Sequence, residues 1–246
     1  MHGVTDAFKN LVSILFRMIS WILTTYNQEE VLPKTLDFFL SEMEGMDIEF
    51  IVSDDGSSDN SVSVARKYSG IYSNVKSVAD AHKGRGSALK NGFRISKGDI
   101  IVFSSSDIEV SRDYIESALK NMGDCDIILL SKNLPDSVSR NRSAVRVLTS
   151  FSYNLLLKLL YKTKFRDMQG VKILRAGRLG SIIGYCKSDG FFFDTELVLI
   201  AFKKGMKIIE MPWAYVDNRK SSVRFSTVIE LFREMIKFYP RFRGMK

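Results

Sequence analysis

Short runs of β-branched and aliphatic residues recur between longer segments with helical spacing, and this alternation limits the chain more than any other feature. The runs Ile19–Thr24, Glu49–Ser53, Asn74–Val78, Asp99–Ser104 and Asp126–Ser131 read as buried strands. Between them, Glu29–Glu44, Asp59–Ser69, Arg85–Ser96 and Ser111–Met122 carry apolar residues at helical spacing, with Asp59 and Ser111 placed as N-caps. Strand, helix, strand in series predicts a mostly parallel sheet, because parallel neighbours must be joined by a long crossover. In such open sheets ligands bind beyond the carboxyl ends of the strands, at the switch in strand order. Those ends hold Thr24-Thr25-Tyr26-Asn27, Asp54-Asp55-Gly56-Ser57, His82-Lys83-Gly84-Arg85-Gly86 and Ser105-Ser106-Asp107-Ile108-Glu109.

The second half has a different character. A Ser/Asn/Arg segment, Ser137–Ser143, precedes an apolar helix from Ala144 to Tyr161. A strand pair is predicted at Gly170–Arg175 and Lys207–Pro212, separated by a helix beginning near Asp194. The last helix, Ser226–Tyr239, places Val228, Ile229, Phe232, Met235, Ile236 and Tyr239 on one face. At 246 residues the chain can bury one sizeable core. The expected division is an extension over 1–17, a single α/β domain over 18–225, and an amphipathic helix with basic tail over 226–246.

A formal net charge of +8 calls for an anionic partner: nucleic acid, a phosphorylated substrate or an acidic lipid surface. No nucleic-acid module or aromatic-interleaved basic stripe is present, which sets nucleic acid aside. Cys125 and Cys186 have no close Cys or His companions, which argues against a disulfide framework or a zinc site. The early apolar run Leu11–Leu23 is interrupted by Arg17 and lacks a cleavage site, so a cytoplasmic chain is expected.

Asp54 and Asp55 end a buried strand before a tight turn, where carboxylates accept hydrogen bonds from a base N–H and a ribose hydroxyl. A turn with an N-cap accounts for Gly56 and Asp59 but not for the paired acids. In the next strand-end segment, glycines permit close backbone approach while Lys83 and Arg85 can neutralise phosphate; a solvated surface turn is the plainer alternative. The segment follows the third strand and lacks a third glycine, which excludes a dinucleotide fingerprint. His82 reads as incidental.

These segments, with Ile22–Glu30, Lys83–Ala88 and Gly92, Gly98–Phe103, Asp167–Lys172 and Gly190–Leu197, resemble family 2 glycosyltransferases of the GT-A fold. The order and spacing are similar to the dolichyl-phosphate mannose synthase, dolichyl-phosphate glucosyltransferase and polyprenyl-phosphate glycosyltransferase group. The resemblance implies a single Rossmann-like nucleotide-sugar-binding domain. Its implied activity is inverting transfer of a hexose, glucose or mannose, from a UDP- or GDP-sugar to a polyprenyl phosphate. By the same resemblance Thr24 and Asp55 hold the nucleoside, while Asn27 and Glu29 shape the pocket. Family members usually carry Asp-x-Asp after the fourth strand; this chain has Ser105-Ser106-Asp107. Asp107, with Glu109, is then the expected holder of Mg²⁺ or Mn²⁺, since substrate phosphates and waters complete the shell. Both acids also suit the helix start at Ser111. Asp194 and Glu196 match positions assigned to base or acceptor work, joining Asp107 as catalytic candidates, although acids in a first helical turn are favourable anyway. Asp167 and Gln169 are implied to contact sugar or acceptor. Lys132, Arg146 and Arg219 lie where the lipid phosphate is contacted, Lys132 standing where an arginine is usual. The apolar helix, the last helix and their flanking basic residues imply peripheral contact with a membrane surface. Two alternatives remain: transfer to a hydroxyl of a soluble glycan or polymer, and a non-catalytic nucleotide-sugar-binding paralogue.

Overall fold

The computed structural model describes residues 18–140, 144–216 and 225–245, without the side chains at 139–140, 145–146, 216 and 225–226. Its strands are β1 (Ile19–Thr25), β2 (Ile48–Asp54), β3 (Val75–Ala79), β4 (Ile100–Ser105), β5 (Ile127–Ser131), β6 (Ser139–Arg140), β7 (Lys172–Arg175), β8 (Ile208–Pro212) and β9 (Tyr215–Val216). The helices are α1 (Leu32–Glu42), α2 (Ser61–Ile71), α3 (Arg85–Ile95), α4 (Arg112–Met122), α5 (Ala144–Tyr161), α6 (Ala176–Ile183), α7 (Phe193–Lys203) and α8 (Phe225–Gly244).

One seven-stranded sheet has the order β3-β2-β1-β4-β7-β5-β8, and β6 pairs with β9 apart from it. Side chains alternate between its faces with the period of two that a pleated strand imposes. Ile19, Trp21 and Leu23 of β1, with Ile100 and Val102 of β4, join the core under α1, α2 and α4. Ile22, Ile101 and Phe103 join the other core, with α3, α5, α6, α7 and α8. The chain runs outward from β1 through β2 to β3, then returns to the far side of β1 as β4. The carboxyl ends of β1 and β4 therefore form the switch point, with Thr24 paired to Ser105.

Several expectations need correction. The predicted strands at Gly170–Arg175 and Lys207–Pro212 do not pair with each other. β7 lies antiparallel between β4 and β5, and β8 is parallel to β5 at the edge. Sequential neighbours need not be spatial ones when a helix intervenes, and only the tertiary register separates the options. Helix α1 begins at Leu32 rather than Glu29, with Pro33 in its first turn. Ser111 occupies the N-cap position of α4 but makes no side-chain capping bond. Asp59 lies one residue before the N-cap of α2, and its Oδ1 accepts from Ser61 N at 3.0 Å. Helix α6 and the β6–β9 pair were not anticipated.

The apolar residues of α8 do not share one environment. Met235, Phe238 and Phe242 are buried in the core, whereas Ile229 and Ile236 are exposed. Helix α5 is apolar on both sides. Tyr153, Leu157 and Tyr161 face the core, while Leu148, Phe151, Leu155 and Leu159 form an outward row with exposures of 66%, 65%, 46% and 68%. Among the described residues, no helix is long and apolar enough to cross a membrane.

Candidate functional site

At the β1–β4 switch point the structure places the guanidinium of Arg85, the first residue of α3. Its Nη1 donates to Thr24 Oγ1 and, at 3.4 Å, to Ser104 O; its Nε donates to Asp194 Oδ2 at 2.7 Å. Asp194, fully buried in the first turn of α7, accepts on Oδ1 from Lys172 Nζ at 2.5 Å. Lys172 is itself fully buried and also donates to Gly170 O at 2.9 Å. A continuous buried chain thus links β7, α7, α3 and the ends of β1 and β4. Burial pushes the Asp194 carboxyl up, but Arg85 and Lys172 outweigh it and hold the group below the ordinary carboxylate value.

The glycines around Arg85 allow this approach. A Cβ on Gly86 would lie 2.5 Å from Phe193 Cβ and 2.9 Å from Ser188 O, so α3 and α7 meet there without room for a side chain. Gly84 has φ of +116° and abuts the Asp189 carbonyl, which makes it the hinge of the turn into α3.

The acids after β2 are held by their own loops. Asp54 accepts from Ser57 N at 2.8 Å and from Ser57 Oγ at 2.5 Å. Asp55 accepts on Oδ1 from Lys83 N at 3.0 Å and Gly84 N at 2.8 Å, so it fixes the glycine loop against β2. Its Oδ2 lies 2.8 Å from His82 Nδ1. His82 is therefore not incidental, as the sequence reading had it: the ring ties to Asp55 and stacks on Tyr26, centroids 4.3 Å apart. Tyr26 and His82 form an aromatic wall beside the β1 end that sequence reasoning missed. Asn27, at φ of 51°, donates from its backbone to Ser57 Oγ and accepts from Ser58 N. Glu29 accepts from the backbone and side chain of Asn60 at 2.9 and 2.8 Å. Asn27 and Glu29 thus clamp the β1 loop to the start of α2. Lys83 reaches outward to Asp80 at 3.6 Å.

Past β4, Ser106 is fully buried, Asp107 is half-buried and Glu109 is exposed. Among the described residues, no three His, Cys, Asp or Glu side chains gather closely enough to hold a metal ion by themselves. The carboxylates here suit only an ion carried mainly by substrate phosphates and water, as Mg²⁺ often is.

On the β5–β7 side, Asp167 is buried and receives Gln169 N on Oδ1 at 3.1 Å, with Lys132 Nζ 3.6 Å from its Oδ2. Gln169 Nε2 donates to Thr195 Oγ1 at 2.7 Å, and Tyr153 of α5 reaches the same hydroxyl at 2.8 Å. This links the outward-facing helix to the residue next to Asp194. Glu196 has another set of partners: Lys187 N and Ser188 N, both within 3.1 Å, and Arg241 Nη1 of α8 at 2.8 Å. The Arg146 side chain and Arg219 lie outside the described residues. Sequence reasoning missed Lys172, whose signal is a lone charge inside the apolar run Val171-Lys172-Ile173-Leu174.

The chain is 25% identical to the glycosyltransferase AglD of Haloferax volcanii over 202 residues, 79% of this chain but only 32% of AglD. It is 27% identical to the dolichyl-phosphate beta-glucosyltransferase of Homo sapiens over 225 residues, 83% of this chain and 69% of that protein. The structure superposes on glucosyl-3-phosphoglycerate synthase from Mycobacterium tuberculosis, solved with Mn²⁺, UDP-glucose and phosphoglyceric acid, with a TM-score of 0.71 at 18% identity, covering 98% of this chain and 84% of that one. Residues 20–176 match the model of glycosyl transferase family 2. That match spans more than half of the chain, so the chain belongs to that family and is a glycosyltransferase of GT-A fold.

Proposed function

We propose that the chain transfers a hexose from a nucleotide-diphosphate sugar to a polyprenyl phosphate with inversion at the anomeric carbon. Glucose from UDP-glucose is favoured over mannose from GDP-mannose, by likeness to the dolichyl-phosphate glucosyltransferases. The observation that carries this reading is the state of Asp194. Both its oxygens are engaged by Lys172 and Arg85, and its pKa is held low, so it makes a poor general base. A hydroxyl acceptor needs deprotonation, whereas a lipid phosphate is already an anion. An acceptor phosphate oxygen forms its bond to C1 as the bond from C1 to the diphosphate oxygen breaks. The electron pair leaves with the nucleoside diphosphate, and no proton has to move.

In this reading the donor lies over the β1–β4 crevice with its base near Tyr26, Asp54 and Asp55, and its diphosphate near Arg85. Thr24 orients Arg85, while Asn27, Glu29 and Lys83 support the surrounding loops. Asp107 and Glu109 would hold a divalent ion against the diphosphate, where bound metal neutralises charge that builds on the leaving group. Lys132, Asp167 and Gln169 face the acceptor side, with Arg146 and Arg219 proposed for its phosphate. The outward row of α5, with exposed Lys158, Lys162, Lys164 and Arg166 near its end, supports peripheral docking on an anionic membrane, proposed to be its cytoplasmic face. The test is incubation with labelled UDP-glucose or GDP-mannose, a short polyprenyl phosphate and Mn²⁺. The expected product is an organic-phase polyprenyl-phosphate hexose of inverted configuration; label moving only to soluble glycans, or to nothing, refutes the proposal.

A further inference from the structure

Lys172 poses a physical problem. An ammonium removed completely from water carries a desolvation cost of several kcal/mol, and an apolar side chain of similar volume would fill the space without it. Asp194 does not require Lys172 for charge balance, because Arg85 already pairs with it at 2.7 Å. Two cations therefore share one buried carboxylate. The neighbouring Asp167 also attracts Lys172, but Lys132 lies 3.6 Å from Asp167 and offsets its charge. The excess positive charge sits beneath the β1–β4 crevice, and its outermost group is the Arg85 guanidinium, held at Thr24 and Ser104 O.

We infer that Lys172 is a positioning residue for the donor: by offsetting the charge of Asp194 it leaves the Arg85 guanidinium as a net positive charge under the nucleotide diphosphate. This rests on the proposed nucleotide-diphosphate donor. Lys172 itself touches no substrate; its field and its hold on Asp194 act through Arg85. Burial holds the Lys172 pKa below the ordinary lysine value, against the pull of the Asp194 carboxylate, whose Oδ1 accepts from Nζ at 2.5 Å and favours the charged form. The diphosphate should feel this charge. The nucleoside, bound near the β2 end, should not.

The test measures binding of UDP and of uridine to the full chain by calorimetry, with and without Mn²⁺, for wild type, Lys172→Met, Lys172→Gln and Lys172→Met/Asp194→Asn. Removing one unit charge predicts about tenfold weaker UDP binding in Lys172→Met and Lys172→Gln, with uridine affinity unchanged. The double variant restores the net charge and should recover UDP affinity to within about threefold of wild type. A purely structural role predicts the opposite pattern, with UDP and uridine weakened together and the double variant worse than either single one. Unchanged UDP affinity in both single variants overturns the inference, as does loss of folding in both, which would assign the side chain to stability alone. A wild-type chain that binds UDP no better than uridine removes the donor reading and this inference with it. Unaltered UDP preference in Lys172→Met, where wild type does prefer UDP, removes only the inference.

Discussion

Replacing Glu196 by Gln separates two roles that family likeness left together. Glu196 is almost fully buried, and its carboxylate takes the backbone N–H groups of Lys187 and Ser188 and the Arg241 guanidinium of the last helix. The loop it holds braces the first turns of α3, since Ser87 N donates to Asp189 O at 3.1 Å and Lys90 Nζ to Ser188 O at 2.9 Å. In Glu196→Gln one acceptor oxygen becomes an NH₂ group facing other donors. Leaving a buried N–H unsatisfied costs about 1–3 kcal/mol. The partly exposed Arg241 pair adds no more than about 1 kcal/mol, because solvent screens it. A total of about 1–4 kcal/mol corresponds to a Tm lowered by roughly 2–16 °C for a chain of this size. The assay is thermal unfolding by circular dichroism, with turnover measured well below the transition. Turnover there should fall less than about tenfold, since Glu196 supports the loop and touches no reacting atom. A Tm within about 2 °C of wild type together with turnover lost by more than about a thousandfold would show that Glu196 acts on the substrate, refuting the bracing role.

Other consequences are equally direct. Gly86→Ala puts a methyl group 2.5 Å from Phe193 Cβ and should cost about 1–3 kcal/mol by overpacking, read as a lower urea midpoint. At the opposite end of the sheet, burial pushes the Glu49 carboxyl up, but hydrogen bonds from Lys76, Ser20 and Lys97 N outweigh it and hold its pKa below the ordinary value. The unfolded chain then binds the proton more readily, so the contribution of Glu49 is present above its unfolded pKa and lost as pH falls through the folded one. Glu49→Gln should therefore be less stable than wild type at pH near 7 and approach it as pH falls below the ordinary carboxylate range, as urea titrations across that range would show; a constant gap would contradict the assignment. On α5, Phe151→Asp with Leu155→Asp should leave the fold intact, since both side chains are exposed, and weaken sedimentation with anionic vesicles at least tenfold. Undiminished vesicle binding by this variant would place the docking face elsewhere.

The strand and helix runs from Ile19 to Ser131 were legible because buried strands and crossover helices carry distinct periods of apolar residues. The strand-end positions of Thr24, Asp54, Asp55, Arg85 and Asp107 were legible for the same reason, since the fold class alone says where ligands meet a parallel sheet. Side-chain partners were not. Arg85 read as a phosphate ligand, yet its anchorage to Asp194 joins residues 109 positions apart. Glu196 read as a catalytic candidate because, like Asp194, it matches a position assigned to base or acceptor work, but on a helix residues two apart point in different directions, Asp194 to Arg85 and Glu196 to Arg241 of α8. Sequence by itself thus determined the layered α/β architecture, the family and the edge of the sheet where donor chemistry belongs, because these follow from local periodicity and short motifs. Only the tertiary structure decided that β7 inserts antiparallel between β4 and β5, that α5 leaves an apolar row uncovered, and that Lys172, Asp194 and Arg85 form one buried charge chain. Each of these depends on contacts between distant segments, whose partners no local pattern encodes.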